Sequence, residues 1–254
     1  MADNGYAAGT PIWVDLSSSD PNASETFYTG LFGWSADEAD EQYGGYRMLR
    51  QGDKAVAGLG PQMSPGPVVW TTYMKTDDAS ATVAAAKSAG GNVLVDPMDV
   101  GPQGRMAILQ DPAGAVFGLW QPGEMKGADL FNAPVSVSWN ELNTRDVEGS
   151  KSFYHDALGW DARTSGEGEQ SYTEWLIDGK SVGGMMDMRG RMPDAVPPHW
   201  LTYFAVTDCA GTADKAKSLG GQVLVPPMDI PQGTFSVLAD PLGAAFAIIQ
   251  LNRG

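Results

Sequence analysis

Two short runs of this chain carry the same pair of chemically capable side chains. Trp13-Val14-Asp15 and Trp139-Asn140-Glu141 each set an indole two residues before a carboxylate. In an extended strand residues i and i+2 share a face, so each run presents an aromatic plane and an acid side by side. Such a carboxylate can accept a hydrogen bond from a ligand hydroxyl or pair with an amino-sugar cation. Between apolar walls its pKa rises and it can act as a general base. A carboxylate is costly to bury, so it otherwise faces water or takes a partner, with Arg47 and Arg50 as basic candidates for Asp15. Asp15 and Glu141 are the candidate bases. The sequence offers no rival nucleophile: no Ser elbow, no Cys/His pair, no P-loop, and no GxGxxG between a strand and a helix. Cys209 is alone, so neither an intramolecular disulfide nor a thiol-rich metal site can form. The two histidines are His155, in a helical run, and His199, at the entrance to a strand. No cofactor is expected.

The composition narrows the classes further. The chain has 254 residues, with 16 basic and 31 acidic side chains and a formal charge of −15. That excludes a nucleic-acid binder, which holds phosphates with clustered Lys and Arg, and it disfavours an anionic membrane surface. It would favour cationic ligands modestly through the long-range field. A hydrophobic share of 43% is that of a globular chain with a sizeable core. No apolar run is long enough to span a bilayer. Met1-Ala2-Asp3-Asn4-Gly5 has neither the basic start nor the apolar run of a signal peptide, so a cytoplasmic location is expected. The 32 glycines and 17 prolines predict many short elements joined by tight turns.

The elements that must position these residues are written twice. Trp13, Asp20, Phe27-Tyr28 and Phe32-Gly33-Trp34 return at one fixed offset as Trp139, Asp146, Phe153-Tyr154 and Leu158-Gly159-Trp160. Trp70 and Tyr73 return as Trp200 and Tyr203, and Asp111-Pro-Ala-Gly114 as Asp240-Pro-Leu-Gly243. In each copy a β-rich run ends at an Asp suited to cap a helix, with Pro21 at the first helical position of the first. The helix carries Phe27, Tyr28 and Leu31 on one side and stops before Gly33. Alternating runs at 45–50 and 54–60 read as a hairpin. A second unit follows: a strand near Val69, an Ala-rich helix after Asp78 that ends at Gly90-Gly91, then strands near 92–96, 105–110 and 115–120. The chain is therefore four βαβββ units. The expected domains are 1–124 and 134–254, joined by a linker at 125–133.

In this order, and repeated, the motifs resemble the vicinal oxygen chelate superfamily, which includes glyoxalase I, extradiol dioxygenases and bleomycin- and fosfomycin-resistance proteins. Asp20, Phe27-Tyr28 and Phe32-Gly33 match its helix signature, as do Asp146, Phe153-Tyr154 and Leu158-Gly159. The Asp111 and Asp240 turns match its DP-x-G. More narrowly, the chain is similar to a duplicated actinobacterial branch labelled hydroxylase or glyoxalase-like, found among natural-product pathway proteins. The resemblance implies an α+β fold of two glyoxalase-like domains with curled, cleft-forming mixed sheets. It also implies where a metal would be held: a His on the first strand, a His or Gln opening the next unit, and a Glu on the last strand. Those positions fall on Trp13, Thr71 and Gly118 in the first copy and on Trp139, Leu201 and Ala247 in the second. A divalent ion needs imidazole or carboxylate donors at about 2.0–2.3 Å, which this set does not offer, so metal independence is expected.

The replacements have a direction. Parity puts Tyr73 with Thr71, Tyr203 with Leu201 and Trp120 with Gly118, while Gly118 and Ala247 remove the bulk of the missing Glu. The expected ligand site is a slot with a vacated floor, lined by Trp13, Asp15, Thr71, Tyr73, Gly118 and Trp120, or by Trp139, Glu141, Leu201, Tyr203 and Ala247. Met185, in a Met-rich run, is an adaptable edge. Tyr46 and Tyr172 occupy equivalent strand positions. Such a slot suits a planar aromatic natural product, anthracycline- or polyketide-like, which it would sequester in self-resistance or as an accessory to biosynthesis. The alternatives are a metal-free isomerase, cyclase or hydroxylation accessory using Asp15 or Glu141 as base, and a degenerate scaffold that contacts a protein. A biosynthetic enzyme is the protein partner such roles imply, and the duplicated chain can be monomeric or a homodimer.

Overall fold

The computed structural model describes residues 5–168 and 171–252; residues 1–4, on which the signal-peptide expectation draws, lie outside the described residues. The first unit is β1 (Pro11–Ser18), α1 (Pro21–Phe32), β2 (Ser35–Ala36), β3 (Arg47–Gln51) and β4 (Lys54–Pro61). The second is β5 (Val69–Lys75), α2 (Ala79–Ser88), β6 (Asn92–Asp99), β7 (Gly104–Gln110) and β8 (Val116–Pro122). The third is β9 (Val137–Thr144), α3 (Val147–Leu158), β10 (Asp161–Ser165), β11 (Tyr172–Ile177) and β12 (Lys180–Asp187). The fourth is β13 (His199–Ala205), α4 (Cys209–Ser218), β14 (Gln222–Ile230), β15 (Gly233–Ala239) and β16 (Ala245–Leu251). Two eight-stranded mixed sheets result, ordered β2-β3-β4-β1-β5-β8-β7-β6 and β10-β11-β12-β9-β13-β16-β15-β14. Neither is closed. The fold is α+β, with two glyoxalase-like domains. Among the described residues no helix is long and apolar enough to cross a membrane.

The helices start where short polar side chains stop the strands. Asp20 Oδ1 accepts from Asn22 N and Ala23 N, and Asp78 Oδ1 from Ser80 N and Ala81 N. Asp146 and Asp208 likewise accept from the amides of Gly149 and Gly211. These bonds satisfy helix amides that have no intrahelical partner. Hydroxyls fasten the same corners: Ser18 Oγ lies 2.7 Å from Ser24 Oγ, and Thr76 Oγ1 lies 2.7 Å from Thr82 Oγ1. At the far ends Gly33 (φ 72°) and Gly159 (φ 71°) turn the chain out of α1 and α3 in the left-handed region, which costs glycine little.

The strands of each sheet come from one copy, but the packing cores draw on both. One compact unit comprises the chain up to Trp13, Thr72–Gly127 and Asn140–Trp200; the other comprises Val14–Thr71, Ala128–Trp139 and the chain from Leu201. In the first, Phe153, Tyr154 and Ala157 of α3 pack with Met74, Phe117 and Leu119 from the other copy, and with Trp160, Trp175 and Trp200. In the second, Phe27, Tyr28, Leu31 and Phe32 of α1 meet Phe204, Phe246 and Ile248. Leu130 and Phe131, in the segment expected to be a linker, pack against this second core.

The two sequence signatures meet in these cores. Tyr154 donates to Asp111 Oδ2 (3.1 Å), whose Oδ1 accepts from Gly114 N and Ala115 N, while Trp200 Nε1 donates to the Tyr154 hydroxyl (2.9 Å). In the other unit Tyr28 donates to Asp240 Oδ2 (3.2 Å) and Trp70 Nε1 to Tyr28 (2.9 Å). Burial raises both carboxyls above the usual carboxylate range, and burial beside them raises both phenols well above the ordinary tyrosine value.

Candidate functional site

The expected site face is the one turned away from the helices, and alternation along the central strands sorts the residues onto it. On β1, Val14 and Leu16 enter the helix-side core while Trp13 and Asp15 take the other face. Asp15 is half-buried and accepts from the Tyr46 hydroxyl at 3.3 Å. The register explains how the phenol gets there. Asp15 lies opposite Gly58, and a Cβ on Gly58 would overlap the Tyr46 hydroxyl, while one on Gly60 would come within 3.0 Å of the ring. Two glycines thus let a tyrosine lie across β4 and reach the acid. The basic candidates are engaged elsewhere: Arg47 pairs with Glu25 and Arg50 with Asp37.

At Gly118 the floor is not vacated. Gly118 lies opposite Tyr73 in the parallel β5–β8 pair, and a Cβ there would overlap the Tyr73 ring. The missing Glu has been replaced by a tyrosine laid over glycine. Trp120, only 7% exposed, donates its Nε1 proton to the Met125 carbonyl at 2.9 Å. Thr71 and Trp13 are buried as well.

In the second copy, Leu201, Tyr203, Ala247 and Ile249 form one buried cluster, with Trp139 and Phe235 packed against it. Ala247 lies opposite Tyr203, as Gly118 lies opposite Tyr73, and the Tyr203 and Phe235 rings are 6.1 Å apart. Here too side chains of the chain fill the floor. Trp139 is only partly buried and Trp13 is buried, so the two indoles are not equivalent. Glu141 is 6% exposed and lies opposite Gly184. Met185 requires a correction. It pairs with Leu142, and both lie in the helix-side core with Trp160 and Trp175, because it is one residue out of phase with the site face. Met186 is the methionine that shares the face of Glu141 and Gly184.

The positions at which the resemblance would set metal ligands do not fit a divalent ion. Indole, threonine, leucine, glycine and alanine supply no imidazole or carboxylate oxygen there. Among the described residues no three His, Cys, Asp or Glu side chains are grouped to hold one. His155 Nδ1 donates to the Trp160 carbonyl (3.0 Å) and His199 Nδ1 to that of Pro197 (2.8 Å). Burial pushes the His199 imidazole below its ordinary pKa. Two depressions of about 380 Å³ are present, one beside Lys75, Asp77 and Gln121 and one beside Thr207 and Gln250. Gln121 and Gln250 there accept from Ala79 N and Cys209 N at the helix starts, a repeated structural device.

One residue of weight escaped the sequence reading, and of another only the partner did. Tyr46 was legible only as a strand position, since its partner depends on the β1–β4 register. Asn143, two residues beyond Glu141, continues the strand alternation, and that signal was present in the sequence.

Comparison with known proteins agrees with the architecture. The model of the glyoxalase/bleomycin resistance protein/dioxygenase superfamily matches residues 11–119 and 136–248. The chain is 39% identical to the anthracycline biosynthesis protein DnrV of Streptomyces peucetius over 265 aligned residues, covering 98% of this chain and 96% of that one. It is 41% identical to CFP32 of Mycobacterium bovis, covering 96% of each. Among solved structures, the 2,3-dioxygenase LapB from Pseudomonas sp. KL28 superposes with a TM-score of 0.67 at 13% identity, covering 98% of this chain and 94% of that one. The Mn(II)-bound glyoxalase from Novosphingobium aromaticivorans does so at 0.66 and 18%, covering 96% and 83%.

Proposed function

The chain belongs to the glyoxalase/bleomycin resistance protein/dioxygenase superfamily, and from that premise we propose that it is a metal-independent protein that binds and sequesters a planar aromatic natural product of the anthracycline or polyketide class, in self-resistance or as an accessory to biosynthesis. The observation that carries this reading is the replacement of the metal-ligand positions by aromatic and small side chains beside a carboxylate. Aromatic walls favour a flat ring system, since an offset or edge-on ring pair adds about 0.5–1.5 kcal/mol beyond area burial. A relative named for anthracycline biosynthesis supports the ligand class. A second reading, a metal-free enzyme with Asp15 as general base, draws on the Tyr46 phenol that orients that half-buried carboxylate. One experiment separates the two: tryptophan-fluorescence titration with anthracyclines, each ligand then recovered and weighed by mass spectrometry. Saturable quenching with the ligand returned intact is expected, and Trp139→Ala should weaken binding by about 1–3 kcal/mol. An altered ligand would make the protein an enzyme. Absence of quenching would remove the aromatic-ligand reading.

A further inference from the structure

The second copy's site face carries a contiguous apolar surface that reaches solvent. Leu201, Tyr203, Ala247 and Ile249 form its buried floor, and Trp139 and Phe235 pack against that floor while each keeps part of its surface exposed. No charged side chain belongs to this cluster. Trp139 stands on β9 and Phe235 on β15, with β13 and β16 between them in the sheet order. That separation is three strand spacings, about 14 Å, a span suited to a fused-ring system lying across the floor. The Tyr203 ring, 6.1 Å from that of Phe235 and tilted by 44°, braces the phenylalanine from the floor side. Met228, opposite Phe235 in the β14–β15 pair, is exposed and extends the surface to the sheet edge. Single exposed apolar side chains are ordinary, whereas a contiguous set on one face marks a binding surface.

The corresponding strands of the first copy differ at these points. Trp13, Tyr73 and Trp120 are all buried there. Met106 lies opposite Trp120 as Phe235 lies opposite Ile249, so a methionine takes the place of the second ring. The three rings of that face pack the protein itself, while the second copy holds two rings that solvent, and therefore a ligand, can touch.

We propose that the second copy carries the small-molecule site, and that Phe235 is a specificity-determining contact that flanks an uncharged, fused-ring aromatic ligand opposite Trp139. The ligand lies over Tyr203 and Ala247, held by ring contact and apolar burial rather than by an ion pair. The proposal rests on the aromatic-ligand reading above and adds to it the copy, the second ring and the charge of the ligand.

The test is equilibrium dialysis of the full chain with quinizarin, a planar dihydroxyanthraquinone. Phe235→Ala should raise its Kd by about tenfold or more, as truncating an aromatic anchor does. Phe235→Leu keeps an apolar side chain and loses only the ring; it should raise the Kd by about fivefold, and it carries the test if the alanine variant does not fold. Met106→Ala, at the equivalent place in the first copy, should change the Kd by less than about twofold. Binding unchanged in the Phe235 variants, or weakened as much by Met106→Ala, would overturn the assignment and leave the aromatic-ligand reading standing. Failure of the unsubstituted protein to bind quinizarin would remove that reading and this one with it.

Discussion

Gly118 is small because the Tyr73 ring occupies the space above it, with no room for even one methyl group. Overpacking a filled site typically costs about 1–3 kcal/mol. Gly118→Ala should therefore lower the unfolding free energy, read by urea titration, by that much, and the same substitution made in a Tyr73→Ala background should cost markedly less. A neutral Gly118→Ala would mean that the ring is free to move off the strand. The buried thiol yields a second test at this scale. Burial pushes Cys209 up to about 11, so the native protein should resist iodoacetamide at about pH 8 and react once unfolded in urea. Alternation along β1 and β9 was enough to assign faces to Trp13, Asp15, Trp139 and Glu141. What each of them meets depends on strand register, and register is not local. The vacated floor was misread for that reason: a missing Glu looks like space until the tyrosine opposite is seen to fill it.

Among the elements, the helix signature and the DP-x-G turn serve one structural purpose. The tyrosine of α3 closes on Asp111 and that of α1 on Asp240, so each copy's helix is fastened to the other copy's turn. Burial raises the folded pKa of Asp111 above its unfolded value. That carboxyl thus contributes stability below the unfolded value, and the contribution is lost as pH rises through the folded one. Tyr154→Phe removes a donor that favours the charged form, pushing the folded pKa higher still. The variant should lose about 1–3 kcal/mol at pH 7 and distinctly less near pH 4, by urea unfolding at both. Equal losses at the two pH values would break the link between phenol and carboxylate. The helices, their Asp caps and their closing glycines were legible because each is a local signal. The two-residue β2 was not, being defined only by its pairing with β3.

For the whole molecule, duplication is the first thing the sequence declares, and the strands respect it: each sheet takes its strands from one copy. The cores do not. Phe32 of α1 lies 5.3 Å from Phe204, and Phe27 lies 6.3 Å from Phe246, ring centre to ring centre. Residues 1–127 expressed alone should expose the α1 aromatic face and lack near-ultraviolet circular dichroism, and co-expression with 128–254 should restore it. A folded first half would contradict the shared cores. The sequence alone determined the four βαβββ units, the helix caps and the superfamily, because these follow from local periodicity and from a repeat that can be aligned with itself. Only the tertiary structure decided that the copies exchange helices in their cores, that Tyr46 answers Asp15, and that the Asn143 side chain is buried with no hydrogen-bond partner among the described residues. Those outcomes rest on contacts between residues far apart in the chain, where packing and register choose among partners that the sequence leaves equivalent.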